Sequence, residues 1–288
     1  MWRQVSPDGL VADIWGVQAR RSVNQFGAHE SYSDFPLARA ESVDDLRSFA
    51  WPQPDWWDFS DVPLLMQAMD SACGQVHIRY RVGSVFEVAW QLCGMEKFLT
   101  DMMVAPEVPA YIMDRLCEVH VENTRRFLQR AAGRVDMIYF YDDVATTQSL
   151  MMPPAVWSDL VRPRHQRIID LAREMGVKVM YHCDGAVAPL IPQWVEMGID
   201  VLNPIQTEAA GMDIAKLKMQ YGKHLCFHGG LSIIEVLPKG TPRMVREEVK
   251  RLVSLLNRDG GYILASSHHI QADTPLENIL AMYDLSLR

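Results

Sequence analysis

The stretch VKVMYHCDG, Val177 to Gly185, decides how this chain is read. It begins as a short apolar run of the kind that forms a buried strand, and it ends with a histidine and an aspartate two residues apart. Along an extended strand, side chains two apart share a face. His182 and Asp184 therefore point one way and Cys183 the other. Such a pair at the end of a buried strand requires a hydrogen-bonding or a chemical explanation.

Five other segments repeat the pattern: QVHIRYRV (75–82), VDMIYFYDD (135–143), DVLNPIQ (200–206), HLCFHGG (224–230) and GYILASSHH (261–269). Each is short, mostly apolar and suited to burial on both faces. Helical spacing fills the gaps. Val245, Val249, Leu252 and Leu256 fall on one face, with Thr241 as cap, Pro242 in the first turn and Gly260 as stop. Val156, Leu160, Ile168, Leu171 and Met175 mark an earlier helix, and Thr274 to Glu277 reads as a capping box opening the last one. Parallel strands need crossover helices, so this alternation predicts an α/β fold with a parallel sheet. Closed with eight strands, it is a (β/α)8 TIM-type barrel, whose chemistry sits at the strand C-termini. There the sequence places Asp142 and Asp143, His182 and Asp184, Asn203 and Gln206, His228, and His268 and His269. One such residue is commonly a satisfied hydrogen-bonding group; five strand ends in succession predict an active-site mouth.

Composition bounds the function. Of 288 residues, 49% are hydrophobic and 22% charged, which is ordinary for a globular protein. The net charge of -8 and the lack of a basic stripe argue against a nucleic-acid partner. No apolar run reaches the ~18 residues of a membrane span, and the first residues do not read as a signal peptide. Five cysteines without a Cys-x-x-Cys pair predict reduced thiols and a cytoplasmic location. The chain is expected to be one barrel domain over 1–288, with a clear core from 75 to 288. Residues 1–74 read as an irregular Trp- and Pro-rich front, typified by WPQPDWWDF (51–59), with one helical turn opened by Ser42.

HCDG (182–185), MGIDVLNPIQ (197–206), FHGGLS (227–232) and ASSHHIQADTPLENI (265–279), in that order, resemble the uroporphyrinogen decarboxylase superfamily. That group includes the decarboxylase itself and zinc-dependent methylcobamide:coenzyme M methyltransferases. The likeness runs from Gln75 to the end and touches Asp13-Ile14-Trp15-Gly16. It implies a (β/α)8 barrel, here short or atypical at the N-terminus because the first barrel strand has no evident counterpart. The decarboxylase's arginine-rich motif is also missing: Arg20 and Arg21 lie in different surroundings. Binding of so highly carboxylated a tetrapyrrole by this acidic chain is accordingly disfavoured.

The methyltransferase branch holds zinc with a His-x-Cys motif and a later cysteine. By that resemblance His182 matches the histidine, while Asp184 and His268 stand where the cysteines would be. Two imidazoles and a carboxylate suit zinc or another first-row divalent metal. This harder set fits polarisation of an oxygen, as in an aryl methyl ether or a carboxylate. The alternative is a metal-free pair in which Asp184 fixes the His182 tautomer. Asp143, Glu87 and His228 are expected to be catalytic, Glu87 otherwise being a helix N-terminal charge. Asp142, Tyr181, Asn203 and Gln206 are expected to bind substrate, with a core role as the alternative for Tyr181. The expected activity is transfer of a methyl group from a small donor, including a methoxylated compound, to a corrinoid carried by a partner protein. Decarboxylation of a tetrapyrrole or another acid and a non-catalytic binding barrel are the alternatives. The resemblance also implies a homodimer.

Overall fold

The computed structural model describes residues 3–5, 10–24, 27–74 and 76–284. All six expected strands form: β5 (Arg79–Gly83), β6 (Met137–Tyr141), β7 (Lys178–His182), β8 (Val201–Ile205), β9 (Cys226–Leu231) and β10 (Tyr262–Ser266). They build one parallel sheet in the order β10-β9-β8-β7-β6-β5. Among the described residues no pairing closes β10 onto β5. Four more strands precede them: β1 (Arg3–Val5), β2 (Leu10–Asp13), β3 (Gln18–Asn24) and β4 (Gly27–Asp34). The chain divides into two compact units, Met1–Val23 with Ala28–Asp142 and Met152–Val179, and Asn24–Gly27 with Asp143–Met151 and Met180–Arg288.

In the first unit, β1 to β4 form a sheet in sequence order, antiparallel from β1 to β3, with Ala12 opposite Gln4 and Gln18. This corrects the irregular front over residues 3–34. QARRSVN and GAHESYSD carry too few apolar residues for a strand period to show. The β2–β3 reversal is set by Asp13, whose Oδ1 accepts from the N–H groups of Trp15 and Val17 at 2.9 and 3.0 Å. The tryptophan-rich stretch is irregular apart from a 3-10 turn, Pro54–Trp56. Trp51 is buried there, donating from Nε1 to Leu46 O at 2.9 Å. Ser42 caps the helix Val43–Arg47 reciprocally with Asp45. The long helix Glu107–Arg130 buries Ile112, Leu116, Val119 and Leu128.

In the second unit, His182 pairs with Asn203 in register across β7 and β8, and Leu202 pairs with Phe227 across β8 and β9. The polar ends of three adjacent strands therefore stand at one level. The helix Pro242–Leu256 buries Val245, Val249, Leu252 and Leu256, and Thr241 Oγ1 accepts from Met244 N–H at 3.3 Å. The last helix, Leu276–Met282, lacks the expected capping box: Thr274 Oγ1 is buried without a partner. Its start is fixed by the Asn278 amide, which donates to Leu237 O and Gly240 O at 2.8 Å. Among the described residues, no helix is long and apolar enough to cross a membrane.

Candidate metal centre

The HCDG turn is built by hydrogen bonds to successive backbone N–H groups. Cys183 N donates to Asn203 O at 2.9 Å, Asp184 N to Asp143 Oδ1 at 2.8 Å and Gly185 N to Gln206 Oε1 at 3.0 Å. Gly185 adopts φ 89°, where L side chains are strained, and a Cβ there would overlap Thr146 O. The turn therefore needs its glycine. Cys183 is fully buried, with Val144 N–H approaching its sulfur at 3.4 Å.

From the last strand, Ser266 Oγ donates to His268 O at 2.6 Å and shapes the turn that presents His268. His182, Asp184 and His268 then each offer a donor atom within 4.8 Å of the others. His268 Nε2 lies 3.3 Å from Asp184 Oδ2, and the two imidazole centroids are 5.8 Å apart. Burial, with the Asp143 charge second, pushes the Asp184 carboxyl up to about 7. Burial, followed by His182 and His269, pushes the His268 imidazole down, with Asp143 opposing. Each group resists its charged form, so the 3.3 Å approach is not a strong ion pair. Asp184 Oδ1 is buried with no hydrogen-bond partner among the described residues. An orphan carboxyl oxygen beside two imidazole rings is a donor set that fits a divalent cation.

The Asn203 amide orders the imidazoles. Its Oδ1 can only accept, so His182 must carry a proton on Nδ1, which donates at 2.6 Å; in the neutral ring Nε2 then keeps its lone pair. Asn203 Nδ2 donates to His228 Nδ1 at 2.5 Å, so neutral His228 carries its proton on Nε2. One amide thus sets the proton on Nδ1 of His182 and leaves Nδ1 of His228 as an acceptor. Asp143 Oδ1, held by the Asp184 N–H, lies 3.9 Å from His182 Nε2.

A model of the uroporphyrinogen decarboxylase (URO-D) family matches residues 39–286. The chain belongs to the uroporphyrinogen decarboxylase family. It is 25% identical over 252 residues to the methylated-thiol–coenzyme M methyltransferase of Methanosarcina mazei, covering 86% of this chain and 64% of that relative. The chain thus spans less than two thirds of that relative's length. A solved methyltransferase from Methanosarcina mazei superposes with a TM-score of 0.66 at 18% identity, covering 92% of this chain and 73% of that one. The fold of this URO-D family chain is accordingly α/β of the TIM-barrel type.

The other expected site residues of the URO-D chain are placed as follows. Asn203 and Gln206, expected to bind substrate, position His182 and the HCDG turn. Tyr181 is fully buried edge-on against Trp194, with centroids 4.8 Å apart, and is core. Asp142, also expected to bind substrate, is 0% exposed. It accepts from Ser84 Oγ at 2.5 Å, Val85 N–H at 3.0 Å, Glu87 N–H at 2.7 Å and His165 Nε2 at 2.7 Å. Burial pushes its carboxyl up, but the His165, Ser84 and Glu87 bonds outweigh this and hold it below the usual range. Glu87 lies in the first turn of the helix Phe86–Cys93, where the helix dipole favours a carboxylate. Ser84 and His165 carried no signal in the sequence, because their role is created by a pairing with a residue 58 and 23 positions away, respectively.

Proposed function

We propose that this chain is a metal-dependent methyltransferase that moves a methyl group from a small oxygen-linked donor to a corrinoid protein. The observation carrying this reading is the meeting of His182, Asp184 and His268 donor atoms within 4.8 Å, with one carboxylate oxygen unpartnered. The relatives' names, which are methyltransferases, support the reaction class. The donor set is two nitrogens and an oxygen without a thiolate, and this favours an oxygen-linked methyl donor over a sulfur-linked one.

When bound, zinc or another first-row divalent metal would supply Lewis acidity toward the oxygen that loses its methyl group. The protein's own residues do the remaining work. Asn203 holds His182 as the Nδ1–H tautomer, so that Nε2 faces the centre. The Nε2–H of His228 orients the donor's oxygen. Asp143, anchored by the Asp184 N–H, relays the proton that the departing oxygen takes up once its bond to the methyl carbon breaks.

Elemental analysis of protein purified without added metal tests this first. About one equivalent of metal per chain is expected, lost in His182→Ala and in His268→Ala while the circular dichroism is unchanged. The reaction is then read by formation of methylcobalamin from cob(I)alamin and a methoxylated aromatic. Protein that is metal-free, or that keeps its metal in both variants, would refute the reading. So would a metal-loaded protein that releases carbon dioxide from uroporphyrinogen and forms no methylcobalamin.

A further inference from the structure

We propose that the first unit carries a site of its own for a small aromatic acid bearing a hydroxyl or amino group. A cavity of about 220 Å³ is walled by Trp15, Trp57, Tyr80 and Tyr141, with Arg81 and Asn123 as its polar members. Four aromatic rings select a flat apolar body. The volume lies below the ~300 Å³ at which drug-sized pockets begin, so one ring fits and a tetrapyrrole does not.

The polar groups define the rest of the ligand. Arg81 lies over the Tyr141 ring, with its guanidinium carbon 4.6 Å from the centroid. No carboxylate lines the cavity among the described residues. Burial pushes the lining His120 imidazole well below its usual range, so this ring is neutral. The formal charge in the wall is therefore that of Arg81, and it selects an anion. Asn123 is 6% exposed, and its Oδ1 is buried without a hydrogen-bond partner. An unpaired buried acceptor is destabilising, and a ligand O–H or N–H satisfies it. The floor is rigid: His120 Nε2 donates to Ser84 O at 2.9 Å, and the ring meets Trp15 edge-on with centroids 5.4 Å apart. Gly83, at φ 137°, lets that ring lie against the strand, where a Cβ would overlap it. An aromatic wall, one cation and one orphan acceptor together describe a hydroxylated or aminated benzoate. The inference is independent of the methyl-transfer reading.

The test titrates the full chain with 3- and 4-hydroxybenzoate, benzoate and phenol, by tryptophan fluorescence and calorimetry. One hydroxybenzoate isomer is expected to bind at least about 10-fold more tightly than benzoate or phenol. Asn123→Ala should erase the advantage over benzoate, and Arg81→Gln the advantage over phenol. Asn123→Asp keeps the acceptor but adds a negative charge, and should weaken the acid while sparing phenol. His182→Ala and His268→Ala should bind as the wild type does. Absence of hydroxybenzoate binding at millimolar concentration, equal binding of benzoate, or loss of binding in a folded His182→Ala protein would each overturn the proposal.

Discussion

Asn203 has no titrating group, yet it decides what two histidines can do. Its carbonyl fixes the His182 proton on Nδ1, and its amide group takes the lone pair of His228 Nδ1. Replacing it with alanine should leave all three candidate ligands present but lower metal affinity by about 10- to 100-fold, the usual cost of losing a ligand's orienting partner. Competition with a chromogenic chelator measures this; unchanged affinity would show that Asn203 does not orient His182. Asp142 gives a second prediction at this scale. Removing its charge breaks a buried pair with His165 and should cost roughly 3 kcal/mol in urea unfolding. Its carboxyl titrates lower in the folded chain than in the unfolded one, so the unfolded chain binds more protons in the window between the two values. The wild type should therefore lose stability as pH falls from ~4 toward the folded value. Asp142→Asn should show a flatter pH dependence; identical slopes would exclude this role. Strand alternation and strand ends are local, so the His182 and Asp184 pair could be read from the sequence, whereas the family resemblance is what singles out His268 over His269. The roles of Asn203 and Asp142 could not be read there, since each depends on partners from other elements.

At the scale of elements, legibility followed the strength of local signals. The helix Pro242–Leu256 could be read because an apolar stripe, a capping threonine and an N-terminal proline agree with one another. Thr241 Oγ1 does accept from Met244 N–H, so Thr241→Ala should destabilise the protein by about 1 kcal/mol, with the unfolding m-value unchanged. The last helix shows how the same signal misleads. Thr274 and Glu277 have capping-box spacing, but Thr274 Oγ1 makes no cap bond, while the Asn278 amide spans two carbonyls. Asn278→Ala should therefore cost more than Thr274→Ala in the same assay; the reverse order would restore the box. The strands β3 and β4 left still less trace. Their sequences carry few apolar residues, and the antiparallel β2–β3 pairing is specified by backbone bonds and by the Asp13 turn, which a hydrophobic period cannot reveal.

At the scale of the whole molecule, the candidate ligands and their supports all belong to the second unit, whereas the aromatic cavity is lined entirely from the first. A ligand that binds only folded protein stabilises the structure that holds it, by RT ln(1 + [L]/Kd). Local opening is governed by the stability of the segment that opens, so the two ligands should protect different amides. In hydrogen exchange by mass spectrometry, zinc should slow exchange in peptides covering 180–185, 201–206 and 264–269. The preferred hydroxybenzoate should slow exchange in peptides covering 12–17, 80–85 and 118–125. His268→Ala should abolish the zinc response and preserve the hydroxybenzoate response, and Asn123→Ala should do the opposite. If zinc instead protected the helix Glu107–Arg130 as strongly as β7 to β10, the ion would be acting through global stability. The His182, Asp184 and His268 cluster would then lose its standing as the place where the metal is held.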